Sequence, residues 1–335
     1  MKIASVDAIE YYVDKKVIIT GGAGFIGSSL AQRLVDLGAQ VALVDILDPD
    51  TGANLFNLNG FKDKIQLTLT DITDERVMVP MIRDRDYLFN LAGLSSHLGS
   101  TQNPFKDLEG NTTAQLKLLE MCRVNNPAIR IVFASTRQIY GVVDKIPVNE
   151  NQPPAPIDHN GVSKLAAGYY HLLYHKLYGM WTATLRMTNV YGPRMRVKDE
   201  HQNFLGWWIR LLLEGKELPV YGDGRRIRDF NYIDDVVDAL LLAMINPAAN
   251  GQIYNLGAEP VTLLEMAKLL IRLNGSGSYR LFPLPKNRSK IDIGDYAGDY
   301  AKIKRQLGWN PGVRLEDGIS RTLEYYRQFG KQYYG

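Results

Sequence analysis

Thr20-Gly21-Gly22-Ala23-Gly24-Phe25-Ile26-Gly27 places Gly21, Gly24 and Gly27 three residues apart in a turn between two apolar segments. Upstream, 17–20 is a short β-rich run; downstream, 26–37 carries apolar residues at helical spacing up to Gly38. A strand, a tight turn and a helix in this order bring unpaired backbone N–H groups and the positive end of the helix to one point. Glycine at the turn leaves no Cβ where a phosphate approaches, and the last glycine lets the helix pack closely on the strand. A lone glycine pattern would serve any tight turn. Here the flanks decide, and a dinucleotide pyrophosphate is the group the turn suits.

A second apolar run, 41–44, ends at Asp45, eighteen residues beyond Gly27. A carboxylate at that place accepts both ribose hydroxyls of a dinucleotide, which favours NAD over NADP. Further short apolar runs lie at 65–69, 87–91, 131–134 and 184–187, with helical stretches between most of them. That alternation predicts an α/β protein built on a doubly wound parallel Rossmann sheet, covered on both faces. After 187 proline and glycine become frequent and the alternation breaks down. The expected organisation is an NAD-binding domain over 1–185, with a return segment at about 229–255 that includes an amphipathic helix at 234–244. The segments 186–228 and 256–335 form a smaller α/β substrate-binding lobe, with helices at 259–273 and 315–329.

With 335 residues the chain is long enough for two such lobes and a cleft between them. Net charge is +3, from 39 basic against 36 acidic side chains, so no strong field draws the protein to nucleic acid or to a membrane surface. Cys122 stands alone, which excludes an internal disulfide and a multi-cysteine metal site and fits a reducing cytoplasm. The first fifteen residues lack a continuous apolar segment of the secretory type, and no run of eighteen apolar residues follows. A cytoplasmic protein that handles small molecules is expected.

Beyond the turn, the chain resembles the extended short-chain dehydrogenase/reductase family, in its NAD-dependent nucleotide-sugar epimerase, dehydratase and decarboxylase branch. The resemblance runs over nearly the whole length. Its markers are TGGAGFIG at 20–27, Asp71-Ile72, NLAG at 90–93, ASTRQIYG at 134–141, SKL at 163–165, RMTNVYGP at 186–193 and YGDGRRIRDF at 221–230. It implies that Phe25 and Ile26 border the cofactor with the glycines, that Asp71 and Ile72 flank the adenine, and that Leu91, Ala92 and Gly93 run beside NAD. Lys164 would bind the nicotinamide ribose and Thr136 the sugar hydroxyl being oxidised. Asn189, Arg228, Arg288 and Asp292 would grip the nucleotide diphosphate, and His97 would border the sugar. The family also implies a homodimer through helices near 105–125 and 161–178.

The chain departs from that pattern at two places. The family usually carries tyrosine four residues before the lysine, one helical turn away, as the proton carrier. Asn160 stands there, and an amide has no proton to exchange near neutral pH. His97 and His159 are the candidates for a relocated base, since histidine titrates in the right range. The second departure is Arg137-Gln138, where dehydratases and decarboxylases place an acid; Gln138 is neutral. An epimerase acting by transient oxidation to a ketosugar is therefore the expected activity, with Thr136, Asn160 and Lys164 at its centre. A dehydratase or decarboxylase, or a binding module that senses NAD or a nucleotide sugar without turnover, is the competing reading. His171 and His175 are one helical turn apart but lack the glutamate of a zinc-protease motif, and read as packing or surface residues, as do Trp207-Trp208.

Overall fold

The structure is a computed structural model that describes residues 10–48, 51–200 and 203–334, and only the backbone at 287 and 288. Its centre is a seven-stranded sheet in which every neighbouring pair is parallel. Six strands follow the apolar runs: β1 (Lys16–Thr20), β2 (Gln40–Asp45), β3 (Ile65–Leu69), β4 (Tyr87–Asn90), β5 (Arg130–Thr136) and β6 (Thr182–Met187). The seventh, Gln252–Asn255, joins the sheet beside β6; its four residues carry too little pattern to be read in advance.

Residues of β1 alternate between the two faces, as strand geometry requires. Val17 and Ile19 point into one core with Leu30 and Leu34 of α1 (Phe25–Asp36), while Ile18 points into the other. That second core holds Met78 and Ile82 of α2 (Glu75–Ile82) and Leu118 and Leu119 of a later helix, Ala114–Asn125. Each fully buried aliphatic side chain contributes roughly 1.5–3 kcal/mol, so the sheet is held from both sides.

The strand order places β4 on one side of β1 and β2 on the other, with Thr20 in register with Asn90 and with Val44. The winding direction reverses there. In open parallel sheets a ligand sits in the crevice at the carboxyl ends of such strands.

Between β4 and β5 lie three helices, α3 (His97–Gln102), α4 (Pro104–Leu108) and α5 (Ala114–Asn125), the last two joined by a π-turn at Glu109–Thr113. The twenty-residue α6 (His159–Tyr178) follows β5, capped by Asp158, whose carboxylate accepts the Gly161 N–H.

The remaining elements form small sheets beside the main one. Asn189–Tyr191 (β7) and Ile227–Tyr232 (β9) pair in parallel, and Leu218–Tyr221 (β8) pairs with Tyr279–Phe282. The helix expected over 259–273 begins at Leu263, because Pro260–Thr262 pairs antiparallel with β9 and Thr262 then caps the helix reciprocally with Glu265. Helix Ile233–Ile245 packs on α1 and the sheet, and Leu315–Phe329 closes the chain. Among the described residues, no helix is long and apolar enough to cross a membrane.

Candidate active site

One cavity of about 1060 Å³ runs from the carboxyl ends of β1 and β4 across to the small sheets. Its glycine end is built by packing. A Cβ on Gly27 would stand 2.2 Å from the Gly21 carbonyl oxygen, so only glycine lets α1 start this close to the turn. Gly24, at the helix N-terminus, would meet only that oxygen, at 3.1 Å, and its other side is open to the cavity. Phe25, Ile26, Asp71 and Ile72 line the same end.

Asp45 is buried, with one carboxylate oxygen accepting the Ala23 N–H at 3.0 Å and the other the Leu47 N–H at 2.9 Å. Each oxygen keeps a lone pair for a ribose hydroxyl. Burial pushes this carboxyl above the usual carboxylate range despite those N–H donors. Asp71 turns Oδ1 onto the N–H and hydroxyl of Thr73.

Sequence reading passed over Thr20. Its hydroxyl oxygen accepts from both Leu91 and Ala92 N–H at 3.1 Å and donates to Asn90, fixing the backbone beside the turn. An apolar strand ending in threonine was the only signal.

The middle of the cavity gathers Gly93, His97, Thr136, Asn160 and Lys164. Thr136 ends β5, and its Oγ1 accepts the Gln138 N–H at 3.2 Å, leaving its own hydrogen free to donate. Lys164 is buried, and burial lowers its ammonium to about 8 against the partial compensation of Asp107. A Cβ on Gly93 would lie 2.5 Å from Lys164 Nζ, so glycine makes room for the lysine.

Asn160 holds a structural bond set. Its Nδ2 donates to the Leu94 carbonyl at 2.9 Å and to Asp107 Oδ2 at 3.0 Å, and Asn111 donates to the same Asp107 oxygen at 2.9 Å. With both amide hydrogens committed, Asn160 offers a ligand only Oδ1, an acceptor unable to carry a proton. Asp107 and Asn111 were not anticipated, since a polar residue on a helix gives no periodic signal of its burial.

The two histidines separate. His159 is exposed at the first turn of α6 and does not line the cavity, which removes it as a candidate base. His97 lines the cavity with its Nδ1 3.0 Å from Asp158 Oδ2, in an approach poorly aligned for a hydrogen bond. Asp158 is closed to solvent, which alone would raise its carboxyl. His97, the Gly161 N–H and Gln138 outweigh that and hold it below the usual range. A helix cap was readable there, since Asp158 opens a long helical run.

At the far end, β9 supplies Arg228, which donates to the carbonyls of Ile227 and Gly294 and to Asp292 Oδ1 at 3.3 Å. Burial and then neighbouring Arg137 lower its guanidinium to about 10. Arg226 reaches the other Asp292 oxygen at 3.3 Å, so Asp292 bridges two arginines. Asn189 donates to the Asp229 carbonyl at 2.9 Å, and both Asn189 and Arg228 line the cavity. Arg288 belongs to the short helix Lys286–Ser289, and its side chain lies outside the described ones. His171 is buried, stacked on Phe133 with centroids 4.3 Å apart, and takes no part in the cavity.

A parallel sheet with a glycine turn, a buried carboxylate and a buried lysine at its switch point is the arrangement of a dinucleotide-binding fold. The chain belongs to the NAD dependent epimerase/dehydratase family, whose model matches residues 17–257. It is similar to the crystal structure of a UDP-glucose 4-epimerase from Thermotoga maritima with UDP-glucose, at 32% identity and a TM-score of 0.84, covering 93% of this chain and 99% of that one. A dTDP-glucose 4,6-dehydratase from Streptomyces venezuelae with NAD bound gives 28% identity and a TM-score of 0.85, over 94% of this chain and 98% of that one. UDP-glucuronic acid decarboxylase 1 of Xenopus tropicalis is 30% identical, over 94% of this chain and 72% of that protein. The protein is thus an NAD-dependent enzyme of this family.

Proposed function

We propose that the protein is a nucleotide-sugar epimerase that works without the family's tyrosine. The observation that carries this is the single cavity: glycine turn and Asp45 at one end, Asn189 and Arg228 at the other, Thr136, Lys164 and His97 between. A pocket for one small molecule spans about 300–1,000 Å³, and this one, at about 1060 Å³, lies at the top of that range and is lined continuously from the glycine turn to Arg228. Gly21, Gly24, Gly27, Asp45, Asp71, Ile72 and Lys164 would hold NAD, which when bound accepts and returns the hydrogen of the reacting sugar carbon. Asn189, Arg228, Arg288 and Asp292 would hold the nucleotide diphosphate. The division into 1–185 with 229–255 for NAD, and 186–228 with 256–335 for the nucleotide sugar, follows from these assignments.

Thr136 Oγ orients the reacting hydroxyl. His97 takes its proton on Nε2, while the Asp158 carboxylate, 3.0 Å from Nδ1, stabilises the imidazolium. Lys164 holds the cofactor ribose, and Asn160 Oδ1 accepts from the sugar or an ordered water. Epimerisation is preferred to water or carbon dioxide loss because Gln138 offers no acid and its Nε2 is committed to Asp158 at 2.8 Å.

A homodimer in the cytoplasm completes the reading. Val162, Tyr169, Leu173 and Leu177 of α6 and Phe105 and Val124 leave an exposed apolar face that suits a second copy. Cys122 is buried and its thiol pushed up to about 12, which suits a reducing compartment as an unreactive core residue.

The test is incubation of the purified protein with NAD and a panel of UDP-, GDP-, CDP- and dTDP-sugars, followed by NMR. A stereoisomeric product without net reduction of cofactor supports the reading. Tight binding of NAD and nucleotide sugar with no conversion across the panel would leave a sensor instead.

A further inference from the structure

Arg137 follows Thr136 directly and lines the same cavity. Its Nε is shut off from solvent and meets no hydrogen-bond partner, and among the described residues its terminal nitrogens form no hydrogen bond or ion pair. Among the described residues, its guanidinium stands over the face of Tyr296, 5.5 Å from the ring centroid.

The nearby carboxylates are occupied elsewhere. Asp229 takes the Thr188 hydroxyl on one oxygen and the Gly298 N–H on the other, at 2.8 Å. Asp292 is bridged by Arg226 and Arg228, each at 3.3 Å. Burial pushes the Arg137 guanidinium below its ordinary range, and the more distant carboxylates of Asp229 and Asp292 only partly offset this.

Arg137 is half-buried, its Nε sealed and its terminal nitrogens open to the cavity, and a largely desolvated guanidinium without a hydrogen-bonded counter-ion is a site that a ligand entering the cavity would complete. Guanidinium is planar and presents parallel donors that match a carboxylate in two-point contact. The partner must enter through the cavity that Thr136 and Arg137, adjacent in the chain, both line, and a group on the sugar ring held by Thr136 is the partner this favours. The diphosphate would have Arg228 and Asn189, and because Arg137 stands close enough to Arg228 to lower its guanidinium, binding of UDP alone is what separates the two ligands.

We infer that Arg137 is a carboxylate subsite, and that the sugar this enzyme takes is a nucleotide-linked uronic acid. The inference rests on the nucleotide-sugar reading above and narrows it. Thr136 and Arg137 then act as one pair, the hydroxyl donor holding the reacting carbon and the guanidinium holding the carboxylate next to it.

The experiment measures dissociation constants of the NAD-loaded protein for UDP-glucuronate, UDP-glucose and UDP, in the natural chain, Arg137→Gln and Arg137→Lys. Charge-assisted hydrogen bonds predict that the natural chain favours glucuronate over glucose by roughly tenfold to a hundredfold. Arg137→Gln should abolish that ratio and Arg137→Lys should keep part of it. Equal binding of the two sugars by the natural chain, or a ratio unmoved by Arg137→Gln, overturns the inference and leaves the nucleotide-sugar reading standing. Equal weakening of all three ligands by Arg137→Gln places the arginine on the diphosphate and also overturns it. Failure of all three to bind, with NAD retained, overturns the nucleotide-sugar reading and this inference together.

Discussion

The cofactor end of the cavity and the part that faces the sugar are finished to different degrees. At the cofactor end the polar groups named above already have partners within the protein: Asp45 on Ala23 and Leu47, Thr20 on Leu91 and Ala92, Asp71 on Thr73. Toward the sugar the open valences collect: Arg137 Nε lacks a partner, and His97 Nδ1 faces Asp158 out of line. A pre-satisfied site is rigid before its ligand arrives, which suits a cofactor held through every turnover. An unsatisfied one keeps its bonding for the molecule that must be recognised and changed.

Breaking the rigid end should have the largest effect. Gly27→Ala forces a Cβ onto the Gly21 carbonyl, a contact with backbone that cannot swing aside. Overpacking of this kind costs about 1–3 kcal/mol, and here it also spoils the phosphate cradle. The variant is expected to purify without NAD and to lack activity, as cofactor content and thermal melting will show.

His97→Gln comes next, at the open end. It keeps a polar side chain but removes the proton carrier, so kcat should fall by about 10²–10⁴-fold. Retained NAD and unchanged nucleotide-sugar affinity would locate the loss in chemistry. A variant at full speed would rule out His97 as the base.

Asn160→Ala tests the join between the two ends. It deprives buried Asp107 of one donor and the Leu94 carbonyl of another, a loss of about 1–3 kcal/mol in chemical denaturation. An unchanged midpoint would show that the bonds to Asp107 contribute nothing net.

The smallest effect concerns pH. Lys164 titrates at about 8 rather than 10.5, so its charge is present below about pH 8 and lost above it. NAD affinity should weaken as pH rises through that value, and Lys164→Met should be flat there. The folded NAD-free protein binds fewer protons than the unfolded chain between about 8 and 10.5, so this lysine's contribution to stability rises over that window. Melting of the NAD-free natural chain against Lys164→Met checks the sign.

How much could be read from sequence follows the same division. The glycine turn, the six strands and Asp45 declare themselves because backbone geometry demands particular residues at fixed offsets. Lys164 and Thr136 are found through motifs. The network of Asp107, Asn111 and Asn160 is invisible in one dimension, since its members are ordinary polar helix residues until three helices meet. Arg137 reads as a neighbour of Gln138, and its missing partner is a property of tertiary burial. His159 and His97 look equivalent in sequence, yet the first turn of α6 sends one to the surface while the other borders the cavity. The short strand Pro260–Thr262 escaped because proline and three residues cannot announce a pairing made with β9.

The central claim is that this chain epimerises a nucleotide sugar by transient oxidation although Asn160 stands where a proton carrier is expected. The most direct measurement is NMR of the reaction run in D₂O with the NAD-loaded enzyme and UDP-glucuronate. The account predicts a stereoisomeric product that keeps its original hydrogen at the inverted carbon, because that hydrogen leaves for the cofactor and returns from it without exchange. Deuterium at that carbon would mean deprotonation without oxidation, and would contradict the account.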